Sequence, residues 1–207
     1  MRVLLTRPEG RNEELADALR AAGHEVLCVP LIALEPLGDE PIELDGYDWV
    51  VVTSAMGARE LRRRGRGTPM RLAAVGRATA DALGGADLVP ETSSQEGLLA
   101  ELPRPAGRVL FAGAEGARRL LVDELGADFV PLYRTHELAA ELPPVDLVVL
   151  ASPSAARAYA ALGGRGPAVS IGPETSGAAR AAGIGVAQEA AAQDLAGLVD
   201  AVDAASR

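Results

Sequence analysis

The pattern of apolar and polar positions follows two different periods along the chain. Short runs of aliphatic residues alternate with longer segments in which apolar residues recur every three or four positions. The runs are typical of strands buried on both faces, and the longer segments of helices with one apolar side. This alternation predicts an α/β fold with parallel sheets. Strands are expected at 2–6, 25–29, 48–53, 71–75, 87–89, 107–112, 128–131, 146–151, 168–171 and 184–187, and helices include 11–22, 55–64 and 192–204.

One stretch of this pattern occurs twice. Asp146–Tyr159 begins with an aspartate, four apolar residues, a small residue and a serine, and Asp48–Leu61 has the same order. An arginine follows each serine five residues later. Such self-similarity indicates a duplicated architecture. Two further pairs of segments are alike: 2–10 with 108–116, and 74–79 with 170–175.

Two long segments without helical periodicity interrupt the alternation at equivalent places, 31–45 and 131–145. Connections of this length in a compact fold usually have a purpose, such as crossing between domains. They predict two flavodoxin-like lobes, each with five parallel strands: a discontinuous lobe 1 from 1–30 plus 146–207, and lobe 2 from 46–130. The two interlobe linkers would pair as a two-stranded ladder. Two lobes in simple tandem are the alternative.

Composition and charge narrow the classes of function. The net charge is −9 and the pI is about 4.8, which argues against a nucleic-acid partner or an anionic membrane surface. We find neither a signal-peptide pattern nor a long apolar run, so a cytoplasmic protein without a membrane partner is expected. The single cysteine, Cys28, follows apolar residues and is expected to be a buried structural thiol. No Cys/His cluster indicates a metal.

Polar turns follow the predicted strands. Ligands bind at the carboxyl ends of the strands in parallel sheets, and these turns offer helix N-terminal N–H groups and hydroxyls there. Two such sets facing each other would form a cleft for a ligand with many carboxylates or phosphates. Taken singly, each serine or threonine is better explained as a helix N-cap than as a ligand contact, and the prediction of a binding site depends on the whole set of turns. The turns are 6–10, 53–57, 76–79, 93–95, 113–116, 152–155 and 172–176.

Several common enzyme motifs are absent from the sequence. There is no GxGxxG after the first strand, no GxxxxGK[ST] and no GxSxG. His24 and His136 are expected to be solvated, at a helix end and in a linker, which disfavours a Ser-His-Asp triad. Tyr133, in the second linker, has two interpretations. Its hydroxyl could donate a proton into the cleft, or its ring could pack the hinge.

Six motifs follow one another along the chain: Val3–Pro8, Trp49–Ser54, Val75–Thr79, Val130–Thr135, Leu150–Ser154 and Ile171–Thr175. In this order, from the first strand to the last helix, they resemble uroporphyrinogen-III synthases. The family resemblance implies two flavodoxin-like lobes joined by a ladder, a monomer, and a reaction without cofactor. The implied substrate is hydroxymethylbilane, a linear tetrapyrrole with eight carboxylates. Its terminal hydroxyl leaves as water, ring D attacks, and a spiro intermediate recloses with ring D inverted.

The resemblance also implies roles for single residues. Tyr133 matches the family's tyrosine proposed to assist departure of the hydroxyl. Met56 departs from the proline-containing turn often found after Thr-Ser, which puts one carboxylate contact in doubt. A non-catalytic bilobed small-molecule-binding or regulatory protein of the same fold is the alternative. The predicted substrate-binding residues are Arg7, Ser54, Gly76, Thr79, Gly113, Ser152, Ser154, Gly172 and Thr175.

Overall fold

The computed structural model describes all 207 residues as alternating strands and helices. None of the helices combines the length and apolar character needed to cross a membrane. The strands are β1 (Arg2–Leu5), β2 (Glu25–Cys28), β3 (Ile32–Pro36), β4 (Ile42–Glu43), β5 (Trp49–Val52), β6 (Gly65–Arg66), β7 (Arg71–Ala74), β8 (Val109–Ala114), β9 (Asp128–Glu137), β10 (Leu147–Leu150), β11 (Ala168–Ser170) and β12 (Val186–Glu189). The helices are α1 (Glu13–Ala21), α2 (Ala55–Arg64), α3 (Arg77–Leu83), α4 (Gln95–Glu101), α5 (Leu120–Leu125), α6 (Pro153–Ala161), α7 (Pro173–Ala181) and α8 (Leu195–Ala205).

The chain separates into two compact units. The first contains Met1–Leu34 and His136–Arg207, and the second contains Glu35–Thr135. One five-stranded sheet has the order β12-β11-β10-β1-β2, and every pair in it is parallel. A second has the order β3-β9-β8-β5-β7, in which the pairs from β9 to β7 are parallel. The prediction of an α/β fold with parallel sheets is confirmed.

The core of the first unit covers both faces of its sheet. Successive residues of a strand point to opposite faces, so Val3 and Leu4 belong to different apolar clusters. Helices α1 and α8 cover the first face with Leu19 and Leu198. Helix α6 covers the second face with Tyr159. Two covered faces explain why the strand centres are apolar throughout.

Phe111 is the centre of the core of the second unit. Its side chain is fully buried in a cluster with Leu98 of α4 and Leu121 of α5. The ring centroid lies 5.2 Å from that of Phe129 in an edge-to-face arrangement, which is a favoured geometry for aromatic pairs. The cluster therefore holds α4 and α5 against the sheet that carries Tyr133.

The fifth strand of the second sheet differs from the prediction. The predicted strand 87–89 makes one isolated bridge, between Ala73 and Leu88. Strand β3, from the predicted linker, completes the sheet beside β9. The 87–89 segment is too short to extend the pairing, because Pro90 follows it and cannot donate to a ladder.

Strand β9 is a continuous strand of ten residues and does not end at 131 as predicted. The sequence suggested an end at Pro131 because proline has no N–H. Pairing with β8 instead shifts register at that point: Gly113 lies opposite Pro131, and Ala114 opposite Tyr133. The Glu115 N–H then donates to the Tyr133 carbonyl at 2.8 Å. This irregularity fixes the position of Tyr133 beyond the end of the regular ladder.

The two strands taken from the linkers run antiparallel. The N–H of Leu37 donates to the carbonyl of Leu132 at 2.8 Å, and the N–H of Leu138 donates to the carbonyl of Leu31 at 2.9 Å. Residue numbers increase along one strand where they decrease along its partner, which is the antiparallel pattern. The second sheet is therefore mixed, with β3 as its antiparallel edge.

The basic run at the end of α2 holds the segment before β4. Arg64 is buried and donates to the carbonyls of Leu37 at 2.6 Å and Glu40 at 3.0 Å. Arg63 pairs with Asp39 and donates to the carbonyl of Gly38 at 2.9 Å. These arginines donate hydrogen bonds to backbone carbonyls of an extended segment, so their role here is structural.

His24 is buried, which contradicts the prediction of a solvated residue. Its side chain is 7% exposed, and Nε2 lies 2.9 Å from Oδ1 of Asp203 in α8. The prediction failed because Asp203 is far away in sequence and reaches His24 only after α8 has packed beside α1. His24 thus joins the ends of these two helices.

Cys28 is exposed, and the prediction of a buried thiol is wrong. Strand β2 is an edge strand, so its last residue is not covered on both sides. Partial burial still raises the pKa of the Cys28 thiol, which disfavours the thiolate. The thiol borders a concavity of about 290 Å³ that contains none of the predicted binding residues.

Two glycines, Gly97 and Gly197, repeat the same helix start one hundred residues apart. Each donates its N–H to the N-cap side chain, from Gly97 to Ser94 at 3.0 Å and from Gly197 to Asp194 at 2.8 Å. The leucine after each glycine is fully buried. The two units therefore begin α4 and α8 in the same way, although the surrounding sequences share few residues.

Glu96 is expected to contribute a pH-dependent stabilisation to the start of α4. Arg118 donates two hydrogen bonds to it, at 2.7 and 3.0 Å, and these lower the pKa of Glu96 to about 2. A depressed pKa stabilises the folded protein above the unfolded value near 4.5, and this stabilisation disappears as the pH falls toward 2. We expect Glu96→Gln to lower the free energy of unfolding at pH 7 by less than about 1 kcal/mol, because the pair is half exposed.

Denaturant titrations of the wild type and Glu96→Gln between pH 7 and pH 2.5 would measure this difference. It should shrink as the pH falls below about 4.5. A difference that stays constant over this range would contradict the assignment. Arg118→Gln should add little in the Glu96→Gln background, since both changes remove the same pair.

Candidate functional site

The predicted binding residues of the first unit lie at one edge of its sheet. Arg7 follows β1, Ser152 follows β10 and Gly172 follows β11. These three parallel strands are adjacent in the order β11-β10-β1, so the turns at their carboxyl ends are neighbours. Ser154 lies in the first turn of α6 and Thr175 in the first turn of α7. The structure therefore groups these five residues where ligands bind in parallel sheets.

Ser152 and Ser154 form a pair of hydroxyls at the start of α6. The Ser152 Oγ accepts a hydrogen bond from the Ala155 N–H at 3.1 Å, so Ser152 is a helix N-cap. Its Oγ also lies 3.0 Å from the Ser154 Oγ. Both serines are half-buried. The cap explains why a serine stands there, and the pair places two hydroxyl groups at one helix N-terminus.

Gly172 gives α7 an N-terminus without a side-chain cap. A Cβ at Gly172 would lie 2.9 Å from Cδ of Gln193, so glycine allows the Gln193 side chain to approach the first turn. Thr175, the third residue of α7, is 2% exposed. The sequence did not indicate Gln193, because the loop before α8 has no motif that relates it to Gly172.

A buried polar group lies directly behind Thr175. Ser170 and Ser176 are fully buried, and their Oγ atoms are 2.6 Å apart. Ser176 also donates a hydrogen bond to Oε2 of Glu189, at the end of β12. These contacts attach the first turn of α7 to the sheet. Sequence reasoning missed this network; the serine after Thr175 was its only visible sign.

Arg7 is half-buried in the turn between β1 and α1. Its carbonyl accepts a hydrogen bond from Asn12 Nδ2 at 3.1 Å, which fixes the turn. Burial and the nearby positive charge of Arg11 lower the pKa of the Arg7 guanidinium. Arginine remains charged under all ordinary conditions. Arg7 therefore supplies a fixed positive charge at the edge that carries the serines.

The predicted residues of the second unit have the corresponding arrangement. Ser54 follows β5, Gly76 follows β7 and Gly113 is the last residue but one of β8, while Tyr133 lies in β9. The strands are adjacent in the order β9-β8-β5-β7, so these residues share one edge of the sheet. Thr79 is buried in the first turn of α3. The structure again brings the predicted residues of the unit together.

Tyr133 donates a hydrogen bond to Ser54 at 2.9 Å. Ser54 is the N-cap of α2, and its Oγ also accepts from the Gly57 N–H at 3.0 Å. Tyr133 is 8% exposed, whereas Ser54 is half-buried. Burial raises the pKa of the Tyr133 phenol, and the hydrogen bond with Ser54 offsets part of this rise. The phenol is therefore protonated at neutral pH and can act as a donor.

Close packing requires glycine at two positions of this edge, Gly113 and Gly76. A Cβ at Gly113 would lie 3.0 Å from Cε2 of Phe111, so glycine makes room for the central ring of the core. A Cβ at Gly76 would lie 3.0 Å from the Ser93 Oγ. Ser93 thus approaches the start of α3 as Gln193 approaches the start of α7. Contacts within the protein are sufficient to explain both glycines. These contacts do not prevent a ligand from binding at this edge.

Parallel sheets with polar residues at their carboxyl ends define an α/β protein of the kind that binds small molecules at that edge. A family model described as uroporphyrinogen-III synthase HemD matches residues 13–200. The chain belongs to this family, and the resemblance found in the sequence motifs is confirmed.

Two relatives show how far this similarity extends. The uroporphyrinogen-III synthase of Synechococcus elongatus is 28% identical over 173 residues, covering 72% of this chain and 65% of that protein. A relative from Methanocaldococcus jannaschii is 26% identical over 151 residues, covering 66% of this chain and 63% of that protein. The chain thus matches slightly less than two thirds of the length of these relatives.

Solved structures of uroporphyrinogen III synthase from Thermus thermophilus have the same fold. One, of a mutant, aligns with a TM-score of 0.68 at 19% identity and covers 100% of this chain and 98% of that chain. Another aligns with a TM-score of 0.51 at 20% identity and covers both chains completely. The similarity in structure thus extends over the whole chain.

Proposed function

We propose that the chain is a uroporphyrinogen-III synthase, a cyclising lyase that converts hydroxymethylbilane into uroporphyrinogen III with loss of water and inversion of ring D. The observation that carries the proposal is the Tyr133–Ser54 hydrogen bond within the region matched by the family model. The hydroxyl of hydroxymethylbilane is a poor leaving group unless it is protonated as it departs. A buried, protonated phenol is suited to general-acid assistance of this step.

Binding of the substrate is proposed for the two polar sheet edges. The substrate has eight carboxylates, which match helix N-termini and hydroxyl donors better than acidic surfaces. The guanidinium of Arg7 adds a charge-assisted donor. Holding the linear chain in a folded conformation brings ring D close to the reacting carbon, and this proximity accounts for much of the rate. The proposed contacts are Arg7, Ser54, Gly76, Thr79, Gly113, Ser152, Ser154, Gly172 and Thr175.

The broader setting is part of the same proposal. The protein would act as a cytoplasmic monomer, without a cofactor, metal, nucleic acid or membrane partner. Its two sheets would form lobes 1–30 plus 146–207 and 46–130, joined by the linkers 31–45 and 131–145. The strand order supports this assignment, since β1 lies next to β10 and β2 ends the same sheet. The product would enter tetrapyrrole biosynthesis.

Incubation with freshly generated hydroxymethylbilane tests the function directly. Hydroxymethylbilane cyclises spontaneously to the type I isomer, so an active enzyme must give the type III isomer. We expect type III to dominate with the wild-type protein and type I with heat-denatured protein. Formation of type I alone would reject the enzyme and favour a non-catalytic binding protein of this fold.

A further inference from the structure

In the Tyr133–Ser54 hydrogen bond the tyrosine is the donor. This direction indicates which of the two hydroxyls can donate to the substrate. The Ser54 Oγ accepts two hydrogen bonds, from the Tyr133 hydroxyl at 2.9 Å and from the Gly57 N–H at 3.0 Å. A serine oxygen has two lone pairs and one hydrogen. Both lone pairs are therefore engaged inside the protein. The Ser54 hydrogen is left to point toward an acceptor outside this pair.

Burial supports the same direction. Tyr133 is 8% exposed, and Ser54, at the end of β5, is half-buried. The serine is consequently the more accessible member of the pair. The N-terminus of α2 holds Ser54 in place, because its Oγ caps the first turn of that helix. A ligand oxygen that approaches this edge reaches the serine before the phenol.

We infer that Ser54 is a catalytic residue that passes the Tyr133 proton to the departing hydroxyl. This inference rests on the proposed function. The Ser54 O–H donates its proton as the carbon–oxygen bond breaks, and the hydroxyl leaves as water with the bonding electron pair. The lone pair of the pyrrole nitrogen forms a C=N bond within the ring, and the displaced ring π electrons form the new double bond to the carbon that carried the hydroxyl. The Tyr133 proton moves to the Ser54 Oγ, and the proton that the cyclised product later loses restores the phenol.

The equivalent positions in the first unit lack this hydrogen-bonded pair, so we infer a relay only for the second unit. Ile32 occupies the place after Val29-Pro30-Leu31 that Tyr133 occupies after Val130-Pro131-Leu132. Ser152 corresponds to Ser54 as an N-cap, but its hydroxyl partner is the neighbouring Ser154. Without a phenol, that edge has no comparably acidic group behind its serine.

The first test measures the hydrogen bond without activity. The chain has three tyrosines, so ¹³Cζ-tyrosine labelling gives three resonances, and the one lost in Tyr133→Phe belongs to Tyr133. We expect Ser54→Ala to shift this resonance and leave those of Tyr47 and Tyr159 in place. A Tyr133 resonance that does not move would overturn the inference and would leave the proposed function standing.

The second test compares turnover in variants. A relay predicts that Ser54→Ala, Tyr133→Phe and the double variant lower kcat to values within about threefold of one another, since they break one chain of transfers. Ser54→Thr should recover part of the rate. A serine that only binds a carboxylate would instead raise KM, and a phenol that donates directly would leave Ser54→Ala much faster than Tyr133→Phe. Either result would refute the relay.

Asp194→Ala is the matched control. Asp194 caps α8 through the same bond to the third residue of its helix, Gly197 N–H at 2.8 Å, and lies outside the turns assigned to the substrate. It removes an equivalent cap and should retain wild-type kcat. If the wild-type protein forms only type I product, the proposed function and the relay both fail, whereas the labelling experiment still reports on the hydrogen bond.

Discussion

Replacing Tyr133 with phenylalanine is expected to slow formation of uroporphyrinogen III by about 10- to 100-fold. The ring is buried and its hydroxyl donates to Ser54 at 2.9 Å, so phenylalanine preserves the packing and removes the proton. The loss should appear in kcat, because the hydroxyl acts on the departing group more than on binding. Initial rates with fresh hydroxymethylbilane, corrected for the spontaneous type I product, would measure it.

Tyr47→Phe is the control for this experiment. Tyr47 also donates to a side chain, Asp128 Oδ2 at 2.8 Å, but it precedes β5 at the amino end of the sheet. Its loss should leave turnover unchanged. An unchanged rate in Tyr133→Phe would exclude the phenol as a proton donor and would favour the interpretation in which its ring only packs.

Gly97→Ala is expected to destabilise the second unit by about 3 kcal/mol, at the upper end of the usual cost of overpacking. A Cβ at Gly97 would lie 2.0 Å from the carbonyl oxygen of Thr92. This oxygen belongs to the backbone, so relief requires movement of α4 or of the loop before it. Such movement would also disturb Leu98, which is fully buried in the same apolar cluster as Phe111.

Thermal or denaturant unfolding of Gly97→Ala and Gly116→Ala would separate this clash from the general effect of alanine. A Cβ at Gly116 meets no atom within 4 Å, so Gly116→Ala should be neutral or slightly stabilising. Equal midpoints for the two variants would contradict the close approach at Gly97. Gly197→Ala should behave like Gly97→Ala, since its Cβ would lie 2.2 Å from the carbonyl oxygen of Ala192.

The apolar pattern predicted most elements because buried parallel strands and amphipathic helices have distinct periods. Helix α2 begins and ends at the predicted residues 55 and 64. The errors occurred where pairing depends on partners distant in sequence. Strand β3 joins the second sheet through β9, about one hundred residues later, whereas 87–89 makes one bridge only. Period alone cannot distinguish these outcomes.

The grouping of the candidate site could be predicted, but its internal contacts could not. The strand-to-helix turns placed Ser54 and Thr175 at the edges where the structure has them. The hydrogen bond from Tyr133 to Ser54 depends on the register shift between β8 and β9, which no local pattern encodes. The network of Ser176 and Glu189 likewise forms only when α7 packs against β12.

The most direct measurement of the central claim is the isomer composition of the product as enzyme concentration increases. Hydroxymethylbilane should be generated in the same vessel, and the oxidised products separated as type I and type III. The type III fraction should rise with enzyme concentration until it accounts for nearly all product. A product that stays type I at every enzyme concentration would contradict the proposed function.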